Sequence, residues 1–187
     1  MSELFVDVSS NNHDNNEPID WKLVHEAGYR GAIIKCSEGL EYKNPWAERD
    51  ANGAFCQGMQ IGYYHFARPG LNDAVEEAQY AIDTVAGLHR TIGISLDLEV
   101  RDGLTWPDLQ DWGIRFTNHI ASKNIISPWY SNLYFLSNMP LAPHGHKLWI
   151  AEPSQRPRRE CWMWQKSSTT IVPGIPGETD INVYYGP

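Results

Sequence analysis

Short apolar runs alternate with helix-patterned stretches along most of this chain, and no other feature restricts its fold as much. Residues 4–8, 31–36, 60–66, 92–100 and 125–130 read as strands. Between them, residues 20–27, 45–56, 72–86 and 105–122 read as helices, the first stopped by Gly28 and the second opened by Pro45. The two clearest helices carry apolar residues at helical spacing: Ala74, Ala78, Ala81, Ile82 and Val85 in one, Leu109, Trp112, Phe116 and Ile120 in the other. Asn72 and Thr105 are their expected caps. After residue 130 the rhythm changes. Residues 147–151, 161–165 and 179–184 look like strands, but loop-like segments rich in Pro, Ser, Gly and Arg separate them. Repeated strand–helix units favour a parallel sheet with right-handed crossovers. About eight strands and about five helices predict an α/β fold, a (β/α)8-type barrel with its later crossover helices missing. At 187 residues the chain fits one domain, 1–187, and the lost helices account for its being short for a barrel.

Charge and cysteine content narrow the function. The formal net charge is −8, whereas a phosphate-binding protein needs a basic face, so nucleic acid and an anionic membrane surface are not expected partners. Neutral sugar chains remain open to an acidic protein. Aromatic residues reach 12%, with eight Trp, which suits either a rigid core or a sugar-binding groove. Three cysteines, Cys36, Cys56 and Cys161, exclude a full disulfide framework and show no metal-ligand spacing. Cys36 sits in an apolar run and reads as a buried free thiol, which leans towards synthesis in a reducing compartment. No secretory signal and no stretch approaching the ~20 apolar residues of a membrane span is seen. No membrane insertion and no cofactor are expected, and a monomer is.

The chemistry concentrates in acids on strand-like segments. In Ser95-Leu96-Asp97-Leu98-Glu99-Val100, alternation puts Asp97 and Glu99 on one face and the apolar residues on the other. Two carboxylates on one face of a buried strand are costly without a partner or a task. At the carboxyl end of a barrel strand that task is catalysis; on a solvated edge strand the acids would simply face water. Asp7 repeats the situation on the first strand and Asp180 on the last, which closure makes neighbours. Acids converging on one site drive their pKa values apart, leaving one protonated and others ionised, as glycosidases require. Same-face neighbours lie about 6.6 Å apart along a strand, between the ~5 Å of retaining sites and the wider inverting range, so spacing leaves the stereochemistry open. Lys35 and Glu38 read either as contacts to sugar hydroxyls or as an ion network. Tyr64, Phe66, Tyr130, Trp149 and Trp164 stand near strand ends, where rings stack on sugars, although parity turns some of them into core. Gln165 is a candidate acetamido contact. His65, beside aromatics on a buried strand, reads as a structural hydrogen-bonder rather than a base, and His144 and His146 as surface. No metal constellation stands out.

The chain resembles the family 25 glycoside hydrolases, the muramidase-type lysozymes of phages and bacteria. Pieces in the family's order run almost end to end: Asp7-Val8-Ser9-Ser10, Ile19-Asp20-Trp21, Ile34-Lys35-Cys36-Ser37-Glu38-Gly39, Gly62-Tyr63-Tyr64-His65-Phe66, Leu96-Asp97-Leu98-Glu99, Tyr130-Ser131-Asn132, Leu148-Trp149-Ile150-Ala151, Trp164-Gln165, and Pro173-Gly174-Ile175 with Asp180-Ile181-Asn182. Two departures stand out. Cys36-Ser37 replaces the common Ala-Thr, and Glu152-Pro153-Ser154 stands where a Tyr-containing stretch is usual. The resemblance implies a flattened barrel with reduced helices. It also implies cleavage of the β-1,4 bond between N-acetylmuramic acid and N-acetylglucosamine in bacterial peptidoglycan, with net retention assisted by the substrate's N-acetyl group. Glu99 would be the general acid, and Asp7, Asp97 and Asp180 the supporting cluster. The setting it implies is cell-wall lysis of the endolysin kind: synthesis in a host cytoplasm and release through a holin-type partner, or secretion with a leader outside this chain. A non-catalytic wall-binding module and a glycosidase of chitin-like chains are the alternative readings.

Overall fold

The structure, a computed structural model, describes residues 2–139 and 146–186. The strands are β1 (Glu3–Val8), β2 (Gly31–Glu38), β3 (Tyr42–Lys43), β4 (Gln60–Phe66), β5 (Ile94–Asp97), β6 (Trp129–Asn132), β7 (Leu148–Ala151), β8 (Met163–Ile171) and β9 (Glu178–Tyr184). The α-helices among the described residues are α1 (Trp21–Glu26), α2 (Ala47–Cys56), α3 (Ala74–Thr84), α4 (Trp106–Ser122) and α5 (Leu133–Asn138). Strands β1, β2, β4, β5, β6, β7 and β8 pair in parallel in that order. Strand β9 pairs antiparallel with both β8 and β1, and so closes a ring of eight. The two-residue β3 is an antiparallel appendage on β2.

Strict alternation sorts the side chains. Val6 and Val8 of β1, Ala32 and Ile34 of β2, and Ile94 and Leu96 of β5 turn outwards into the main core beneath the helices. Leu109, Trp112, Phe116 and Ile120 of α4 meet them there, all at most 5% exposed. Each such Val, Leu, Ile or Phe side chain is worth about 1.5–3 kcal/mol of burial. Phe5, Ile33, Met163 and Tyr184 point inwards and plug the barrel, leaving only its carboxyl-end mouth for polar groups.

Several expectations need correcting. The sheet is not parallel throughout. With no crossover helix after β8, Ile171 pairs back on Glu178 as a hairpin, and β9 runs against its neighbours. The cap of α3 is Asp73, whose Oδ1 accepts from the Val75 amide at 2.9 Å; Asn72 donates instead to Glu77 at 2.7 Å. Thr105 does cap α4. The fourth predicted strand ends at Asp97, so Glu99 stands beyond the ladder. Asp97 is no solvated edge residue, being 5% exposed within the ring.

His65 fulfils its structural reading. It is fully buried on the outer face, 2.8 Å from Ser37 Oγ and 2.8 Å from Glu77 Oε2. Cys36 is a buried free thiol, and its Sγ donates to the Tyr64 carbonyl at 3.2 Å. His146 is half-buried against Trp129, and His144 lies outside the described residues.

Candidate active site

The antiparallel course of β9 is what brings the acids together. Asp180 sits near the start of that strand, directly opposite Asp7 near the end of β1. A parallel last strand would have carried Asp180 towards the floor. Asp97 ends β5, and Glu99 follows two residues later on the outgoing loop. All four carboxyl side chains line one mouth cavity of about 210 Å³, together with Ser9, Asn11, Lys35, Tyr64, Phe66, Tyr130 and Trp149. A second hollow of about 150 Å³ shares Asp7, Ser9, Asn11, Tyr64 and Asp180 with it and runs on to Asn12 and Glu178. Three larger hollows lie elsewhere: those of about 350 and 540 Å³ each hold a single carboxylate, Glu160 or Glu3, and one of about 500 Å³ holds Glu48 and Asp83. The first two lack the paired acids that bond cleavage needs, and in the third both acids are exposed to solvent.

Beneath the cavity a hydrogen-bond chain fixes Asp7. Asn182 Nδ2 donates to its Oδ2 at 2.6 Å and Gln165 Nε2 at 3.3 Å. Tyr130 in turn donates its hydroxyl to Gln165 at 2.8 Å, and Trp149 its indole N–H to Asn182 at 2.7 Å. Both rings are thereby locked, and they pack on each other at 4.5 Å. Asp97 Oδ1, by contrast, is buried with no hydrogen-bond partner among the described residues.

Burial pushes all four carboxyls above their ordinary range, and a neighbouring carboxylate adds to it for Asp7, Asp97 and Glu99. For Asp7 burial dominates, then the charge of Asp180, while Asn182 and Gln165 oppose. For Asp97 burial comes first and Glu99 second, with the Lys35 ammonium opposing. Glu99 is raised by burial and by Asp180, against the neighbouring Tyr130 hydroxyl, and Asp180 by burial, against its hydrogen bond to Asp7. Such a cluster holds protons at pH values where isolated carboxyls have lost them. Tyr64 and Tyr130 are shifted upwards too, by burial and then by the surrounding acids, and remain hydrogen-bond donors.

Other predicted site residues are placed differently. Glu38 does not line the cavity. It is drawn sideways between Lys35 Nζ at 2.7 Å and Arg68, whose Nε donates to it at 3.0 Å. Burial raises the Glu38 carboxyl, but those two cations outweigh it and hold it below its usual value. Lys35 and Arg68 both stand 4.9 Å from the Phe66 ring; the Lys35–Glu38 ion pair is formed, and Lys35 at the same time lines the acid cavity. Trp164, one residue out of phase with Gln165, leaves the cavity and donates its N–H to the Glu152 carbonyl at 2.8 Å. Gln165 itself lies under the cavity, 6% exposed, engaged by Asp7 and Tyr130.

Sequence reasoning passed over Asn182, Ser9, Asn11 and Arg68. Asn182 carried a signal, standing two residues from Asp180 on the same face; the others lie on irregular backbone without period. No cluster of three or more metal-binding side chains occurs among the described residues.

The family model for glycosyl hydrolases family 25 matches residues 6–175. Among curated relatives, the chain is 28% identical over 171 residues to the autolytic lysozyme of Clostridium acetobutylicum, covering 89% of this chain and 52% of that protein. It is 32% identical over 157 residues to the lysozyme of Streptococcus phage Cp-7, covering 80% and 43% respectively. The chain thus spans about half the length of these curated relatives. The crystal structure of the bacterial lysozyme from Streptomyces coelicolor has the same fold. It superposes with a TM-score of 0.85 at 24% identity, over 98% of this chain and 92% of that one.

Proposed function

This chain belongs to the glycosyl hydrolases family 25, and from that premise we propose that it is a muramidase. It cuts the β-1,4 bond between N-acetylmuramic acid and N-acetylglucosamine in bacterial peptidoglycan. One observation carries the reading: carboxyls from β1, β5 with its outgoing loop, and β9 meet in a single cavity walled by Tyr64, Phe66, Tyr130 and Trp149. A binding module has no use for four clustered acids, two of them buried and two half-buried.

Glu99, whose hold on its proton is strengthened by burial and by Asp180, gives that proton to the bridging oxygen. The C1–O bond breaks, and its electron pair leaves with that oxygen. Positive charge develops at C1 and is stabilised by the ionised members of the cluster. The substrate's own acetamido oxygen closes on C1. Water then opens that ring, its hydroxide joining C1 and its proton returning to Glu99. Two displacements at one carbon give net retention, and a proton NMR time course should show the β-anomer first; initial α-anomer overturns this step. The wall-lytic setting, with a holin-type release partner and action as a monomer, belongs to the same proposal; the likeness to a phage lysozyme supports the lytic setting alone.

Glu99→Gln is the test. It keeps shape and removes the proton donor, so turbidity clearing of peptidoglycan should fall by roughly 100-fold or more, with circular dichroism unchanged. Full activity in a folded Glu99→Gln protein removes Glu99 from the role.

A further inference from the structure

In the ring of eight strands, the β9–β1 junction and the β5–β6 junction stand at opposite ends of one diameter. The smaller hollow lies at the β9–β1 end, with Asn12 and Glu178, and opens into the acid cavity through Asp7 and Asp180. The acid cavity extends in turn to Glu99 and Tyr130, on the β5 loop and β6. The acid cavity thus reaches the β5–β6 side of the mouth, as it also reaches Lys35 on β2, Phe66 on β4 and Trp149 on β7.

On that rim stands an aromatic group that the hydrolytic chemistry does not use. Trp106 opens α4, and Tyr134 and Phe135 lie in the first turn of α5, directly after β6. Trp106 meets Tyr134 at 5.7 Å with planes at 76°, and Phe135 at 5.2 Å with planes at 87°. The Arg101 guanidinium, two residues beyond Glu99, lies 4.7 Å over the Trp106 ring. Trp106 and Phe135 are anchored on the main core, yet Tyr134 is 65% exposed. Edge-to-face contacts fix its ring before any ligand arrives, which lowers the entropy cost of binding. Among the described residues, the three most exposed large apolar side chains are Leu71, Ile171 and Tyr134. They follow β4, end β8 and follow β6, so all three are on the mouth side. Of these, Tyr134 is the one that belongs to an aromatic cluster rather than standing alone.

We propose that Tyr134, Trp106 and Arg101 form an additional sugar subsite, which takes an N-acetylated hexosamine of the glycan strand beyond the rings held at the acid cluster. The inference rests on the muramidase reading and names where the polymer continues. The carbon–hydrogen face of the pyranose lies on the Tyr134 ring, while Arg101 donates to a hydroxyl or an acetamido carbonyl. A cavity of about 210 Å³ cannot hold a strand, so the flanking sugars must rest on the rim. On the β5–β6 side of the mouth, this ledge is the aromatic surface available to them.

The experiment compares the native protein, Tyr134→Ser and Tyr134→Phe on long glycan strands stripped of stem peptides and on the shortest oligomer that is cut. For Tyr134→Ser, KM on long strands should rise roughly 5- to 10-fold, with kcat retained and the thermal midpoint unmoved. Short-oligomer kinetics should change far less, and Tyr134→Phe should match the native protein. Equal KM for native and Tyr134→Ser on long strands, or an equal loss on long and short substrates, overturns the subsite while leaving the muramidase reading intact. A native protein that releases no reducing ends overturns both.

Discussion

Asp97 illustrates what the site costs at the level of single residues. Burial first and the neighbouring Glu99 second raise its folded-state pKa, and its Oδ1 has no hydrogen-bond partner among the described residues. Below the ordinary pKa of about 3.9, folded and unfolded chains both carry the proton and the burial is nearly free. As pH rises towards the folded value, the unfolded chain releases its proton and the folded one does not, so stability falls across that window. Asp97→Asn removes this penalty. The variant should melt about 2–4 °C above the native protein at pH 7 for each kcal/mol relieved, and the gap should shrink towards pH 4. Differential scanning calorimetry at the two pH values checks this; no gain at pH 7, or a gap that does not depend on pH, contradicts it. The position of these acids was readable from sequence, because strand parity is rigid: Asp97 on an apolar strand can only be inside or on an edge. The same parity explains the misplacement of Trp164, one residue out of phase with Gln165. Glu38 is different, since its partner Arg68 comes from a loop with no periodic signal.

At the scale of elements, α4 packs more tightly than its propensity implies. Gly113 stands on its buried face, and a Cβ there would come within 2.4 Å of the Trp129 ring. Trp129 is fully buried and its indole N–H is tied to Thr117, so the ring has nowhere to go. Helix propensity alone predicts that Gly113→Ala gains about 1 kcal/mol, but overpacking costs typically ~1–3 kcal/mol. The net expectation is a lower thermal midpoint; a higher one would show that the helix relaxes away from the sheet. The apolar stripe of α4 was plain in the sequence, whereas its contact with a tryptophan on a later strand was not. Short elements escaped for a simpler reason. The two residues of β3 are below the length at which periodicity can be detected, and α5, no shorter than α1, follows β6 with no loop to mark its start. The far half of β8, Lys166-Ser167-Ser168-Thr169-Thr170, looks like loop because its side chains are polar and partly or fully exposed.

For the whole molecule, closure determines function. Alternation identifies which residues of a strand share a face but says nothing about which way the strand runs. Pro173, Gly174 and Gly177 between β8 and β9 were the available hint of a reversal. That reversal lifts Asp180 to the mouth, opposite Asp7. The account stands on these acids acting together on one glycosidic oxygen. Mass spectrometry of borohydride-reduced fragments, released from purified peptidoglycan by the native protein and by Glu99→Gln, tests it most directly. The expected result is N-acetylmuramitol at the new ends in the native digest and roughly 100-fold fewer such ends with Glu99→Gln. N-acetylglucosaminitol ends, or equal release by the two proteins, would contradict it.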